Sequence, residues 1–280
     1  MSTMNTQAEA GATVLPAVPL TLEGASVLHQ IMRFRWSAWG RLSDAEKTQV
    51  VQEAEAFLGP AEAAGESALF SVLGHKGDLL LVHFRNGLEE LNAVQLGLNR
   101  LRWQAYLRPT ASYVSVVELG LYDSSVKLYR SLVERGVAPH SEDWNREVGE
   151  LLQRQRTAMA PRLFPKVPTS RFLCFYPMDR RRGEHKNWYT LPIEERKRQM
   201  DEHGAVGRRY AGRVQQIISG SIGFDDSEWG VDLFGDDPVV FKKLIAEMRY
   251  DEVSGVYSTF GTFYLAVRRS VADLLELLDG

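Results

Sequence analysis

Apolar residues fall along this chain in two patterns, short dense runs and longer stretches at helical spacing, and the order of the two repeats. The first copy reads as a strand over 27–36, a helix over 43–58, a strand over 79–84, a helix over 87–98 and a strand over 112–117. Ser43 and Glu46 have the spacing of a capping box, which fixes the start of its first helix. The second copy opens on an apolar strand over 172–176 that stops at Pro177, followed by a helix over 192–210. A strand over 229–234, a helix from Asp237 and Pro238 through Phe241, Leu244 and Ile245, and a strand over 262–267 complete it. Ser71-Val72-Leu73-Gly74 and Ser221-Ile222-Gly223 occupy matching places in the two copies.

This order matches a split βαβ, ferredoxin-like unit. The predicted fold class is therefore α+β, with two tandem units making a curved sheet and helices outside. The expected boundaries are a tail over 1–20, a first unit over 21–135, a connection over 136–168 and a second unit over 169–280. The connection holds a helix over 141–159, capped by Ser141, and a loop over 160–165. Ala, Thr, Gly and Pro dominate the tail, which lacks the basic and apolar regions of a signal peptide and is expected to be disordered.

Composition narrows the function by exclusion. A formal net charge of -3 over 280 residues argues against a binder driven by neutralising nucleic-acid phosphates. No apolar run reaches the length of a membrane span. The single cysteine, Cys174, rules out an intramolecular disulfide and fits a reducing cytoplasm. No Cys-x-x-Cys-His occurs, so a haem-like group would be held without thioether links.

The stretch from His203 to Gln216 carries the most chemistry. In the helix that begins at Pro192, with Glu194 and Glu195 at its positive end, His203, Gly207 and Ala211 share one stripe. One imidazole beside glycine and alanine leaves a flat surface suited to a planar macrocycle. Each interior glycine costs a helix about 1 kcal/mol relative to alanine, so Gly204, Gly207 and Gly212 call for a reason. A lone helical histidine is usually a surface or core residue, and small residues also serve close packing. The remaining histidines (His29, His75, His83, His140 and His185) show no mutual metal-ligand spacing.

Flanking motifs decide between these readings. They are Phe172-Leu173-Cys174-Phe175-Tyr176-Pro177-Met178-Asp179-Arg180-Arg181-Arg182, Asn187-Trp188-Tyr189, Ser219-Gly220-Ser221-Ile222-Gly223, Glu228-Trp229-Gly230-Val231-Asp232-Leu233-Phe234 and Glu247-Met248-Arg249-Tyr250-Asp251-Glu252-Val253-Ser254. In this order they resemble the coproheme decarboxylases of the chlorite dismutase-like superfamily, closely over 105–270 and weakly before it. The resemblance implies a dimeric α+β barrel, a homopentamer and a hydrogen peroxide-dependent oxidative decarboxylase. Its substrate would be Fe-coproporphyrin III, itself the redox centre, whose 2- and 4-propionates become vinyls in haem b. A coproporphyrin ferrochelatase is implied as a pathway neighbour.

The same resemblance assigns roles. His203 matches the axial ligand to iron, and Tyr176 the tyrosine that forms the catalytic radical. Arg162 and Ser254 match propionate contacts, Gln216 stands on the distal face, and Pro177, Met178, Asp179 and Arg180 accompany Tyr176 against the substrate. The family often has lysine where this chain has Arg180, which keeps the charge but does not readily give up a proton. The cluster of Arg180, Arg181, Arg182 and Lys186 suits a carboxylate-rich ligand, although a charge run is most often a solvated loop. Arg249 also matches a family position, with an internal salt bridge to Asp251 or Glu252 as the competing expectation. Two alternatives remain: chlorite dismutase, which has an arginine where this chain has Gln216, and a haem-binding or haem-sensing protein without turnover.

Overall fold

Glu46 accepts a hydrogen bond from the Ser43 N–H at 2.8 Å while the Ser43 hydroxyl accepts from the Glu46 N–H, so the capping box forms. The computed structural model describes residues 15–279. The first half of the chain runs β1 (Thr21–Phe34), α1 (Trp36–Trp39), α2 (Asp44–Ala63), β2 (Ser67–Val72), β3 (Leu79–Arg85), α3 (Leu88–Arg100) and β4 (Leu107–Gly120). Helices α4 (Tyr122–Glu134) and α5 (Glu142–Leu163) connect it to the second half. That half runs β5 (Phe172–Arg180), α6 (Ile193–Arg208), β6 (Gln215–Gly220), β7 (Trp229–Gly235), α7 (Pro238–Met248), α8 (Glu252–Gly255), β8 (Ser258–Phe260), β9 (Tyr264–Arg269) and α9 (Leu274–Asp279).

The α+β class holds. Strands of the first half lie in the order β4-β1-β3-β2 and those of the second in the matching order β6-β7-β5-β9, all antiparallel. Two seams join the halves, Val116↔Gly220 between β4 and β6 and Leu69↔Arg269 between β2 and β9. With β5 paired to β7 across Phe172↔Gly235 to Met178↔Trp229, the pairings return to their start. Both faces of these strands are covered, which is why β1 is buried almost continuously instead of alternating. Val27, Ile31, Phe70, Leu80, Phe175 and Phe234 pack on the inner face. Outside, α6 and α7 cover the neighbours of Phe175, namely Cys174 and Tyr176, with Val231 and Leu233. Period-two alternation along β5 thus divides its side chains between core and helix layer.

Three local expectations change. Strand β5 does not stop at Pro177 but runs on to Arg180. Its Pro177 carbonyl accepts from the Gly261 N–H at 2.9 Å, where the partner of β5 changes from β9 to β8. The missing N–H therefore faces a gap in the ladder and no pairing is lost. Helix α5 likewise continues through Pro161 to Leu163, beyond the loop expected from 160. Its last turn is pressed onto β1, where a methyl at Gly24 would collide with the Leu163 carbonyl, and Leu163 is wholly buried. Helix α6 ends at Arg208, so Ala211 lies past it; Gly212 takes the left-handed φ of 79° in the turn. Pro192 is the N-cap rather than the first helical residue.

The chain ends cross between the halves. Val271, Leu274 and Leu278 pack with α2 of the first half. Of the tail expected over 1–20, residues 1–14 lie outside the described residues. Residues 15–20 lie along α4, where Tyr129 Oη donates to the Val18 carbonyl at 3.0 Å and Leu15 and Leu20 join its apolar contacts.

Candidate functional site

Helices α6 and α7 do not close fully on the outer face of β5, β6 and β7. Between the layers lies a cavity of about 820 Å³, within the range of small-molecule sites. The side chains of β5 that point away from the core, Tyr176, Met178 and Arg180, form one wall with Gln216, Ile218, Trp229, Val231 and Leu233. Helix α6 forms the facing wall with Arg196, Met200, His203 and Gly204. Arg162 enters from the last turn of α5, and Ser254 and Arg249 from the segment after α7. Residues from six separate chain segments therefore meet in one space.

His203 is held in one orientation. Its Nδ1 lies 2.7 Å from Asp251 Oδ2, and the other oxygen of Asp251 accepts from the Ser254 N–H at 2.7 Å, capping α8. Burial opposes a charge on Asp251, yet these hydrogen bonds keep its carboxyl below the usual carboxylate range. An ionised Asp251 only accepts, so Nδ1 is the nitrogen that carries the hydrogen of a neutral ring, and Nε2 is the one left to bind a metal. This is the arrangement in which a carboxylate raises the basicity of a metal-binding imidazole. Among the described residues no group of three or more His, Cys, Asp or Glu side chains could cage a metal ion. A metal bound at Nε2 would have to bring its other ligands with it, as the iron of a porphyrin does, and a cavity of about 820 Å³ has room for such a ring.

Among the described residues, Arg162, Arg180 and Arg249 of the cavity have no carboxylate partner. Arg180 is enclosed by Trp188 and Trp229, with its Cζ 4.7 Å and 5.8 Å from their ring centres. Its Nη1 donates to Ser258 Oγ at 2.6 Å, a neutral acceptor, and burial draws its pKa down. The Arg249 guanidinium lies 3.6 Å from the centre of the Phe260 ring. The expected Arg249 salt bridge is not formed, because Asp251 is taken by His203 and Glu252 by Arg198 at 2.8 Å. Arg162 reaches only Met159 Sδ, at 3.9 Å. On the anionic side, Glu118 lines the cavity, where burial raises its pKa and disfavours its charge. Arg162 and Arg249 are exposed while Arg180 is enclosed, and a ligand bearing several carboxylates would give each a charged acceptor.

Tyr176 is packed between Phe263, with ring centres 4.4 Å apart, and Phe260, at 5.9 Å. Burial raises its pKa, so the phenol stays protonated. Its hydroxyl makes no hydrogen bond to a described residue. Gln216 faces α6 across the gap, since a methyl built on Gly207 would lie 3.6 Å from Gln216 Nε2. Imidazole and amide thus come from opposite walls.

Of the residues singled out from sequence, His203, Tyr176, Arg162, Met178, Arg180, Gln216 and Ser254 line this cavity. Pro177 and Asp179 do not, because they occupy the alternate positions of β5; Asp179 Oδ1 accepts from the Glu228 N–H at 2.9 Å. Arg181, Arg182 and Lys186 are exposed, so the basic cluster gives the cavity only Arg180. Sequence reasoning missed Asp251 as the partner of His203, the two tryptophans around Arg180, and Arg196. Arg196 had a signal, since it precedes His203 by two helical turns on the same stripe. No such signal exists for Ala17, Val18 and Pro19, which also line the cavity.

The family model described as chlorite dismutase matches residues 47–269. A coproheme decarboxylase of Staphylococcus saprophyticus is 40% identical over 271 residues, covering 94% of this chain and 100% of that protein. Among solved structures, a haem-binding protein from Thermus thermophilus superposes with a TM-score of 0.80 at 36% identity, covering 96% of this chain and 100% of that one. A mutant chlorite dismutase from Candidatus Nitrospira defluvii gives a TM-score of 0.68 at 15% identity, over 92% and 97% of the two chains, which speaks for a shared fold alone.

Proposed function

Because the chain belongs to the chlorite dismutase family, we propose that it is an oxidoreductase converting Fe-coproporphyrin III to haem b, with hydrogen peroxide as the oxidant. The observation that carries this reading is the cavity itself, where a carboxylate-backed imidazole faces a buried phenol and a neutral amide among unpaired arginines. The relative named for coproheme decarboxylation, matched over nearly the whole chain, supports the same substrate class. Two of the four carboxylates are lost as carbon dioxide. Each loss removes two electrons from one propionate, so one peroxide is reduced to two waters per vinyl formed.

The iron porphyrin is the substrate, and its iron supplies the reaction with peroxide. His203 holds that iron through Nε2, with Asp251 fixing the ring and increasing electron donation. Arg162, Arg180, Arg249 and Ser254 orient the carboxylates. Gln216 offers an amide to a small polar ligand on the opposite side without adding a charge. Tyr176 links oxidant to propionate: its protonated phenol gives up an electron and a proton, the resulting radical takes a hydrogen atom from the substrate side chain, and the substrate radical then releases carbon dioxide and its second electron to the same peroxide-derived oxidant. The aromatic packing of Tyr176 keeps that radical away from water.

A neutral Gln216 disfavours chlorite dismutase, and a buried Tyr176 at the cavity wall is superfluous for a haem sensor. A homopentamer, a cytoplasmic location and transfer of substrate from a coproporphyrin ferrochelatase belong to the same proposal. Among the described residues no helix is long and apolar enough to cross a membrane. Parallel assays separate the three functions. The purified protein is given iron coproporphyrin with peroxide, followed by porphyrin mass, and chlorite with the iron porphyrin, followed by an oxygen electrode. A fall in porphyrin mass by two carbon dioxides and four hydrogens, without rapid oxygen release, is expected. Fast oxygen evolution from chlorite, or a stable iron porphyrin with no product, would overturn the assignment.

A further inference from the structure

We propose that Arg196 is a carboxylate-binding residue of this cavity, which sets the rotational position of the porphyrin about the axial bond. The inference rests on the function proposed above and deepens it. Arg196 is only 4% exposed yet lines the cavity. Its Nη2 donates to the Ala17 carbonyl, while its Nε is buried without a partner. Among the described residues no carboxylate pairs with it; the neighbouring Glu195 is engaged by Arg198 and Gln199. A buried guanidinium with free donors is an unfilled anion site by its chemistry.

Its position relative to His203 gives the site a use. The two residues are seven apart on α6, which places them on one face, about 10 Å apart along the axis. A ring bound at His203 Nε2 in this cavity would lie over the α6 face that carries both residues. Arg196 then lies under the rim of the ring, where an extended carboxylate side chain reaches. Iron and carboxylate would be held by the same rigid helix, so no loop movement blurs the angle between them. With that angle fixed, one particular pair of propionates is turned toward Tyr176. The segment Ala17 to Pro19, held by Arg196 and Tyr129, closes this end of the cavity against solvent.

The test compares Arg196→Gln and Arg196→Lys with the parent chain by equilibrium titration. The probes are iron coproporphyrin and its tetramethyl ester, delivered from dimethyl sulfoxide. Loss of one charge-assisted hydrogen bond predicts that Arg196→Gln weakens the tetra-acid about tenfold to a hundredfold. The ester should bind parent and variant equally, and Arg196→Lys should recover part of the loss. Unchanged binding of the acid overturns the inference. So does equal weakening of acid and ester, because Arg196 would then merely hold the Ala17 segment. If the parent binds neither probe, the proposed function falls with it; if only the Arg196 comparison fails, that function stands.

Discussion

Replacing Asp251 by asparagine isolates the electronic part of the axial site. The substitution keeps side-chain volume and one carbonyl oxygen, so the 2.7 Å cap on the Ser254 N–H survives, asparagine being as good a cap as aspartate. What it removes is the charge 2.7 Å from His203 Nδ1 and the oxygen that accepts from it, because the one remaining oxygen stays on the Ser254 N–H and the amide NH2 faces the ring. Asp251 is 7% exposed and His203 25%, so water screens the pair weakly. A hydrogen bond to a charged group contributes about 1.5–3 kcal/mol and no neutral one replaces it, so the loss is about 1.5–3 kcal/mol. That corresponds to roughly tenfold to a hundredfold in affinity, the usual effect of removing such a partner from a metal ligand. The assay is a Soret titration with iron coproporphyrin and, in parallel, metal-free coproporphyrin, which makes carboxylate contacts but no axial bond. Only the iron form should weaken, and the iron–imidazole stretch of the reduced complex should fall. Equal weakening of both porphyrins, or an unmoved stretch, would refute the reasoning.

Other substitutions separate the remaining roles. His203→Ala should abolish the five-coordinate spectrum while leaving metal-free coproporphyrin binding near that of the parent, as read by fluorescence quenching. Gln216→Ala should change the rate of the peroxide reaction in stopped flow more than the affinity for iron coproporphyrin; equal rates would mean that the amide does not face the reacting side. Gly204→Ala should stabilise the ligand-free protein by up to about 1 kcal/mol, since a methyl there meets only the end of Arg208 at 3.1 Å. The same methyl narrows the cavity wall beside His203, so porphyrin affinity should drop as the melting temperature rises.

Where local chemistry was enough, the fold was legible. The Ser43 and Ser141 caps, the apolar runs of β3 and β7 and the repeated order of elements all appear in the structure. Proline misled twice. Pro177 and Pro161 break regular structure in isolation, but one faces a gap between β8 and β9 and the other lies in a helix turn clamped onto Gly24. Such compensation depends on partners distant in sequence. The same limit governed the site. His203, Tyr176, Arg162, Arg180 and Gln216 came from motifs, and the alternation along β5 then separates Met178 from Pro177 and Asp179. Asp251 was in view only as one of two competing partners for Arg249, because which neighbour takes a carboxylate depends on how α7 and α8 pack against α6.

The proposed chemistry depends most on Tyr176 as the link between the oxidant and the propionates. Parent and Tyr176→Phe chains are loaded with iron coproporphyrin and given two equivalents of peroxide, and the porphyrin products are weighed by mass spectrometry. Phenylalanine keeps the packing against Phe260 and Phe263, and no hydrogen bond to a described residue is lost, so binding and stability should match the parent. Haem b is expected from the parent, and from the variant an oxidised or bleached porphyrin that retains its carboxylates. Haem b formed by Tyr176→Phe at the parent rate would contradict this role, and would move the radical to another cavity tyrosine such as Tyr189.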